Sequence, residues 1–331
     1  MTSRAAISAA TDTKREERVR AAFYRGEALT VENPVYVGAL RGLADELLRQ
    51  DTGLGDLTVD ALGIGGRECA VEIRAKEAGV AAGVCEAQWL YERAGLVTSH
   101  SVRDGEFIAA GDVLLRADGN AKALFSLERV MVNLMQRMSG IATATRRLAE
   151  AAGQQAPNAH VVATRKTPWG LLDKRSVHLG GGGTHRLSLG DGILIKTNHL
   201  LLASEGGAIG TEDTIQRGWK NRKSAASFEV EVTTAGEAVL AARVLRDLQT
   251  DGSCPCILML DNFSAVQAAA AVAALREHDL YDAVLVEASG NIAGASLAAY
   301  AAAGVDAISI GALTHSPRAL DLSAKLIPGA R

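Results

Sequence analysis

The stretch "SFEVEVTTAGEAVLAARVLRDLQ" (227–249) decides the fold. It begins with a short β-branched and aromatic run, passes through two threonines, and continues as an alanine- and leucine-rich segment with helical spacing. The same unit recurs along the chain. Comparable strand-like runs are "HVVATRK" (160–166), "GILIKTNH" (192–199), "CILMLDN" (256–262), "AVLVEASG" (283–290) and "AISIGA" (307–312). Between the later ones lie "SAVQAAAAVAALREH" and "AGASLAAYAAAG", both of helix-forming composition. Nearly continuous apolar strands that alternate with helices imply a parallel sheet covered on both faces, and so an α/β fold.

The polar residues of these units fall at the strand ends. Arg165, Lys166, Lys196, Glu231, Asp261, Glu287, Ser289 and Gly311 all sit at or near the carboxyl ends of predicted strands. In α/β barrels the active site is built at that rim. Six strands are visible, fewer than the eight of a standard barrel, so the expectation is a smaller or incomplete parallel α/β barrel.

The first part of the chain reads differently. "ECAVEIRAKEAGVAAGV" and "GEFIAAGDVLLRADG" look like short strands joined by glycine turns. A long helical stretch follows at 124–152. Residues 1–30 read as a polar, frayed leader, residues 31–134 as a separate α+β domain, and residues 135–331 as the barrel. The last residues are expected to pack back on the N-terminal domain. Residues 201–226 are polar and glycine-rich and read as an inserted loop or loop–helix near the rim.

Composition narrows the function. The formal net charge is −3, and 48% of residues are hydrophobic. That balance argues against a protein that follows nucleic acid with broad basic surfaces. The four cysteines, Cys69, Cys85, Cys254 and Cys256, form no CxxC pair, which makes structural zinc the poorer reading and a reducing compartment the default. No membrane-spanning run and no signal-peptide core is visible. These features together point to the cytoplasm.

Within this mildly acidic chain, residues 164–199 hold six Lys or Arg but only two Asp, around the four glycines Gly180–Gly183 and the following Thr184-His185-Arg186. The cations Arg165, Lys166, His185, Arg186 and Lys196 meet the carboxylates Glu231 and Asp261 at neighbouring strand ends. "EASGN" (287–291) and "SIGALTHS" (309–316) end two strands with small residues and precede helices, a pattern that admits phosphate to the backbone. The sum is a site for a phosphorylated ligand, a metal held by one or two carboxylates, and a second anion gripped by Arg and Lys, whose fork suits planar carboxylates. Several neighbours have plainer readings: Lys174-Arg175 as a solvated face, His178 and His199 as hydrogen-bonded element ends, and the methionines of 131–138 as core. Arg129 has one too, as a helix cation that snorkels or pairs with a neighbouring Glu. No Ser-His-Asp or Cys-His nucleophile stands out.

At this point the sequence resembles the quinolinate phosphoribosyltransferase family, the carboxylating nicotinate-nucleotide pyrophosphorylases. The resemblance spans roughly residues 45–325. It rests on "GLGDLT" (53–58), "LERVMVNLMQRMSGIAT" (127–143), the run 163–199, "EVEV" (229–232), "LDN" (260–262), "VEASGNI" (286–292) and "SIGALTHS" (309–316). It implies an N-terminal α/β sandwich, a seven-stranded α/β barrel, and a homodimer in which an arginine enters the neighbouring subunit's site. The implied reaction joins quinolinate to phosphoribosyl pyrophosphate with Mg²⁺, giving nicotinate mononucleotide, pyrophosphate and CO₂ in de novo NAD biosynthesis. The implied quinolinate-binding residues are Arg129, Arg165, His185, Arg186 and Lys196. Lys166, Glu231 and Asp261 match the residues around the phosphoribosyl donor, the latter two also at the metal. Ser289, Gly290, Asn291, Gly311 and His315 match the phosphate loops. Two departures stand out: Thr197 where the family usually has Asp, and Ser-Gly-Asn where Ser-Gly-Gly is usual. Extra residues lie at the N-terminus, around 201–226 and around 248–255. The rival readings are a same-fold paralogue associated with molybdenum transport, a non-catalytic sensor of pyridine carboxylates, and a salvage enzyme that uses nicotinate. The first typically departs at the Ile195–His199 motif, which this chain retains.

Overall fold

The computed structural model describes residues 2–204, 210–249 and 254–328, with side chains from residue 13 onward except at residues 204 and 328. Twelve strands follow in chain order among them. β1 (Glu68–Ala75), β2 (Gly79–Val80), β3 (Val97–His100), β4 (Phe107–Ile108) and β5 (Val113–Asn120) come first. β6 (His160–Val162), β7 (Ile193–Ile195), β8 (Phe228–Val232), β9 (Cys256–Asp261), β10 (Leu285–Ser289) and β11 (Ala307–Ser309) come next, and β12 (Leu322–Pro328) is last. The chain divides into two compact units, one of residues 1–25, 148–166 and 182–312, the other of residues 26–147, 167–181 and 313–331.

The first unit contains all six strands expected from the repeating pattern. They form one parallel sheet in the order β6-β11-β10-β9-β8-β7. Every residue of β8 is buried, as a strand covered on both faces requires. A further parallel bridge joins Val162 of β6 to Gly183. Two residues beyond that bridge, His185 Nε2 lies 3.3 Å from Glu229 Oε2 on β8. In a flat sheet β6 and β8 would be about 19 Å apart, at about 4.8 Å per strand. The sheet must therefore curl on itself, which is the incomplete barrel the strand count implied. The helices Ala235–Leu248 and Ala265–Glu277 follow their strands with side-chain caps from Thr234 and Ser264.

The N-terminal segment corrects one expectation. Residues read as a polar leader form the helix Thr2–Phe23, and Val19, Ala22 and Phe23 are buried with Val162, Ile257, Leu285 and Ala307. Three apolar positions at helical spacing, hidden among charges, are enough to seat it. Arg15 adds a polar anchor. Its guanidinium binds the buried Asp306 at 2.6 Å through both Nε and one terminal nitrogen, and it also donates to the carbonyls of Tyr281 and Val284. Removing one member of a buried pair leaves an uncompensated charge. Arg15→Ala should therefore cost about 3 kcal/mol in urea unfolding; a loss below about 1 kcal/mol, the range of an exposed pair, would mean that this contact does not anchor the helix.

The second unit is built on an antiparallel sheet in the order β12-β1-β5-β3, with a small β2–β4 pair. β12 runs beside β1 over seven pairs, from Ala75↔Leu322 to Cys69↔Pro328. The long helix Ala121–Gln155 covers the predicted helical stretch, and Met131, Met135 and Met138 are buried in it, as core methionines should be. The domain boundary expected at 134/135 falls inside this unbroken helix, and the units divide near residue 147 instead. Gly140 is required there, because a Cβ would overlap the Arg318 carbonyl. Residues 167–181 also join this unit. Lys174 is 1% exposed and Arg175 lies 3.8 Å from the buried Glu86, so the solvated-face reading of this pair is corrected. Asp173, wholly buried beside them, takes two hydrogen bonds from Arg137. Neither contact leaves a trace in the local sequence.

Residues 201–226 are largely helical where described, with Ile215 and Trp219 of the helix Thr211–Lys220 buried. Residues 205–209 of that insertion, and 250–253 of the one around 248–255, lie outside the described residues.

Candidate active site

The carboxyl ends of the parallel strands carry most of the expected set. Arg165 and Lys166 follow β6, Lys196 follows β7, Glu231 is on β8, Asp261 ends β9, Ser289 ends β10, and Gly311 lies just past β11. Glu229 and Glu231 share one face of β8, because strand side chains alternate.

Glu231 is held closely. Lys196 Nζ donates to Oε2 at 2.7 Å, and the Thr197 backbone N–H and hydroxyl donate to Oε1 at 3.1 and 2.7 Å. Burial pushes the Glu231 carboxyl toward protonation, but the hydrogen bonds from Lys196 and Thr197 outweigh it and its pKa is lowered. The strand end itself is fixed by a reciprocal pair of bonds, Lys196 N–H to His199 Nδ1 at 2.9 Å and His199 N–H to the Lys196 carbonyl at 2.8 Å. His199 thus serves as a hydrogen-bonded element end.

Asp261 lies beside Ser289 in strand register. Its Oδ2 accepts from Asn262 Nδ2 at 2.8 Å, and the Asn262 backbone N–H donates to the Ser289 carbonyl at 2.8 Å. Asn262 and Asn291 both adopt positive φ. Gly290, at φ 108°, packs so closely that a Cβ would overlap the Asn262 amide and lie 2.8 Å from its backbone nitrogen. The β9 and β10 loops therefore lock together, with no room at Gly290 for a side chain. Asp261 offers hard oxygen ligands at a partly exposed rim, which fits a Mg²⁺ ion that keeps several waters.

His185 does not stand at the open rim. It is 6% exposed, at φ 53°, and edge-on to Phe23. Its Nδ1 takes the backbone N–H of Arg186 at 2.7 Å, and its Nε2 lies between Glu287 Oε2 at 2.8 Å and Glu229 Oε2 at 3.3 Å. Burial works against a charged ring, but the two carboxylates outweigh it and push its pKa up to about 9. A second proton, on Nδ1, would cost the Arg186 bond. Glu229 is pushed up to about 7, by burial first and then by the Glu287 charge. Ser309 donates to Glu287 Oε1 at 2.6 Å. The ligand atoms of His185, Glu229 and Glu287 lie within 4.8 Å of one another, close enough to enclose an ion. Sequence reading passed over Glu229 as part of an apolar strand; its spacing of two from Glu231 was the available signal.

Arg186 is largely buried and donates to the Gly192 carbonyl at 3.3 Å. Burial lowers its pKa first, and the nearby Arg165 charge lowers it further. A bound anion would relieve that repulsion. Two expected residues belong to the other unit. Arg129 is 60% exposed, with its nearest acid, Glu128, 3.8 Å away. His315 ends the short helix Ala312–His315, its Nδ1 2.6 Å from Ser316 Oγ.

Comparison with known proteins identifies the family. The family models for the N-terminal and C-terminal domains of quinolinate phosphoribosyl transferase match residues 56–139 and 141–325. The chain belongs to the quinolinate phosphoribosyltransferase family. A probable carboxylating nicotinate-nucleotide pyrophosphorylase of Archaeoglobus fulgidus is 37% identical over 271 residues, covering 81% of this chain and 98% of the relative. A decarboxylating quinolinate phosphoribosyltransferase of Nicotiana glauca is 33% identical over 310 residues, covering 91% and 86%. Among solved structures, the nicotinate-nucleotide pyrophosphorylase of Francisella tularensis matches with a TM-score of 0.76 at 29% identity, covering 88% of this chain and 96% of that one. The family match extends over both units. Among the described residues no helix is long and apolar enough to cross a membrane.

Proposed function

We propose that this protein transfers the phosphoribosyl group of phosphoribosyl pyrophosphate to quinolinate, releasing pyrophosphate and CO₂ and forming nicotinate mononucleotide for NAD biosynthesis. The observation that carries the reading is the gathering of Arg165, Lys166, Lys196, Glu231 and Asp261 at the carboxyl ends of one parallel sheet, with Arg186 near enough to Arg165 to feel its charge. Departure of pyrophosphate breaks the C1–O bond and leaves positive charge on the ribose. Glu231 and Asp261 stabilise that charge as fixed anions. The pyridine nitrogen donates its pair to C1. The N-ribosylated ring then accepts the electron pair of the breaking C–C bond as the adjacent carboxylate leaves as CO₂, and a proton replaces it. Arg165, Arg186 and Lys196 grip the two carboxylates and Lys166 the pyrophosphate end, while His185 lies one layer deeper. Asp261 would hold Mg²⁺, which would supply positive charge to neutralise the leaving pyrophosphate. Ser289, Gly290, Asn291, Gly311 and His315 are the proposed phosphate contacts. A cytoplasmic setting and a two-fold assembly belong to the same proposal, as does the entry of Arg129 into the partner's site; its exposed guanidinium leaves it available for that role.

Quinolinate should be preferred over nicotinate. Losing one charge-assisted carboxylate contact costs about 1.5–3 kcal/mol, or about 10- to 140-fold in kcat/KM. Purified protein given phosphoribosyl pyrophosphate, Mg²⁺ and either acid tests this, and equal turnover of both would sink the assignment. Gly290→Ala should raise the KM for phosphoribosyl pyrophosphate by about tenfold, since a shift of even a fraction of an ångström in a substrate-positioning loop is costly. An unchanged KM in that variant would remove the loop from the donor site.

A further inference from the structure

Glu231 is gripped from the end of β7 by Lys196 Nζ on Oε2 and by two donors of Thr197 on Oε1. An ionised carboxylate has about four lone-pair sites, two on each oxygen. Oε1 is therefore filled, and Oε2 keeps one site beside Lys196. We propose that Thr197 is a positioning residue: its hydroxyl fixes the rotamer of Glu231 and leaves it a single acceptor site, on Oε2, for one hydroxyl of the sugar substrate. The inference rests on the reading of Glu231 as facing the phosphoribosyl donor.

The two Thr197 contacts have different origins. Its backbone N–H belongs to the first turn of the helix Thr197–Ser204, where helix donors lack internal partners, and any residue but proline would keep that bond. The hydroxyl bond at 2.7 Å is specific to the side chain. An acidic side chain at this position, when ionised, would only accept, so it could not make this contact to Oε1. In this chain the strand end is instead a neutral Lys196–Glu231 pair with a hydroxyl closing its second oxygen. The turn that presents Thr197 is held by the reciprocal Lys196–His199 bonds.

Thr197→Val keeps the shape and the backbone N–H but removes the donor, and Thr197→Ser keeps the donor. The two variants and wild type would be compared by the KM for phosphoribosyl pyrophosphate and for quinolinate, and by calorimetric binding of phosphoribosyl pyrophosphate without the acceptor. The expected result is a rise of about tenfold in the donor's KM and dissociation constant for Thr197→Val. The quinolinate KM should stay within about twofold, and Thr197→Ser should recover most of the loss. A donor KM unchanged in Thr197→Val, or equal rises for both substrates that serine does not reverse, would overturn the proposal and leave Thr197 a helix-start residue only. If wild type binds the donor yet forms no nicotinate mononucleotide, the functional reading fails while the calorimetric comparison still decides the role of Thr197. Absence of donor binding to wild type would overturn both.

Discussion

Asp261→Asn should lower turnover by about two to three orders of magnitude, the scale of removing one preorganised charge-stabilising group. Asp261 ends β9 in register with Ser289, and its Oδ2 is aimed by the Asn262 side chain. Asparagine keeps the volume and one acceptor oxygen, so the loops locked at Gly290 have no steric reason to move. The negative charge is lost, and with it the stabilisation of the cationic sugar as pyrophosphate departs. On the proposed role of Asp261 toward Mg²⁺ a hard ligand would weaken too, so the Mg²⁺ titration should flatten or shift to higher concentration. Steady-state assays across a Mg²⁺ series, with circular dichroism to check the fold, make the measurement. Turnover within about threefold of wild type with an unchanged Mg²⁺ curve would move the sugar end of the site away from Asp261.

The second large effect is the recovery of activity from two inactive proteins. Arg129→Ala and Lys196→Ala should each abolish activity, the first by removing a cation from the acceptor, the second also by leaving Glu231 without its Lys196 partner. If Arg129 serves the neighbouring subunit, co-refolding the two variants restores function. In a mixed two-fold dimer one site has lost both groups and the other is intact. Random pairing makes half the dimers mixed, so roughly a quarter of wild-type activity should return. If Arg129 served its own subunit, every site would lack one group and none would return. The Arg129 side chain is 60% exposed, with Glu128 at 3.8 Å, so its guanidinium is accessible to a second subunit. The refolding experiment separates the two arrangements.

How much of this was legible in sequence follows from how local each signal is. The six parallel strands could be read because a strand covered on both faces must be apolar almost throughout, as "CILMLD" is at Cys256–Asp261. The charged residues at their ends stood out for the same reason. β12 could not be read that way: Lys325 interrupts its apolar run, and its place is set by β1, about 250 residues earlier in the chain. The helix Thr2–Phe23 was hidden by its charges, and its anchor, Arg15 to Asp306, spans 291 residues. Burial of Lys174 and Asp173 likewise depends on elements distant in sequence. At the site, Lys196, Glu231 and Asp261 were legible as strand-end residues. The depth of His185 was not, because only the curl of the sheet brings it between Glu229 and Glu287. Thr197 was visible only as a departure from the family pattern; its two bonds to Glu231 needed the structure.

The central claim is that one protein couples phosphoribosyl transfer to decarboxylation. The most direct test incubates purified wild type with phosphoribosyl pyrophosphate, Mg²⁺ and quinolinate labelled in the carboxylate next to the ring nitrogen, and counts three products. The account predicts nicotinate mononucleotide, pyrophosphate and labelled CO₂ in equal amounts, all dependent on phosphoribosyl pyrophosphate. Mononucleotide formed without release of the label, or label released without pyrophosphate, would contradict it.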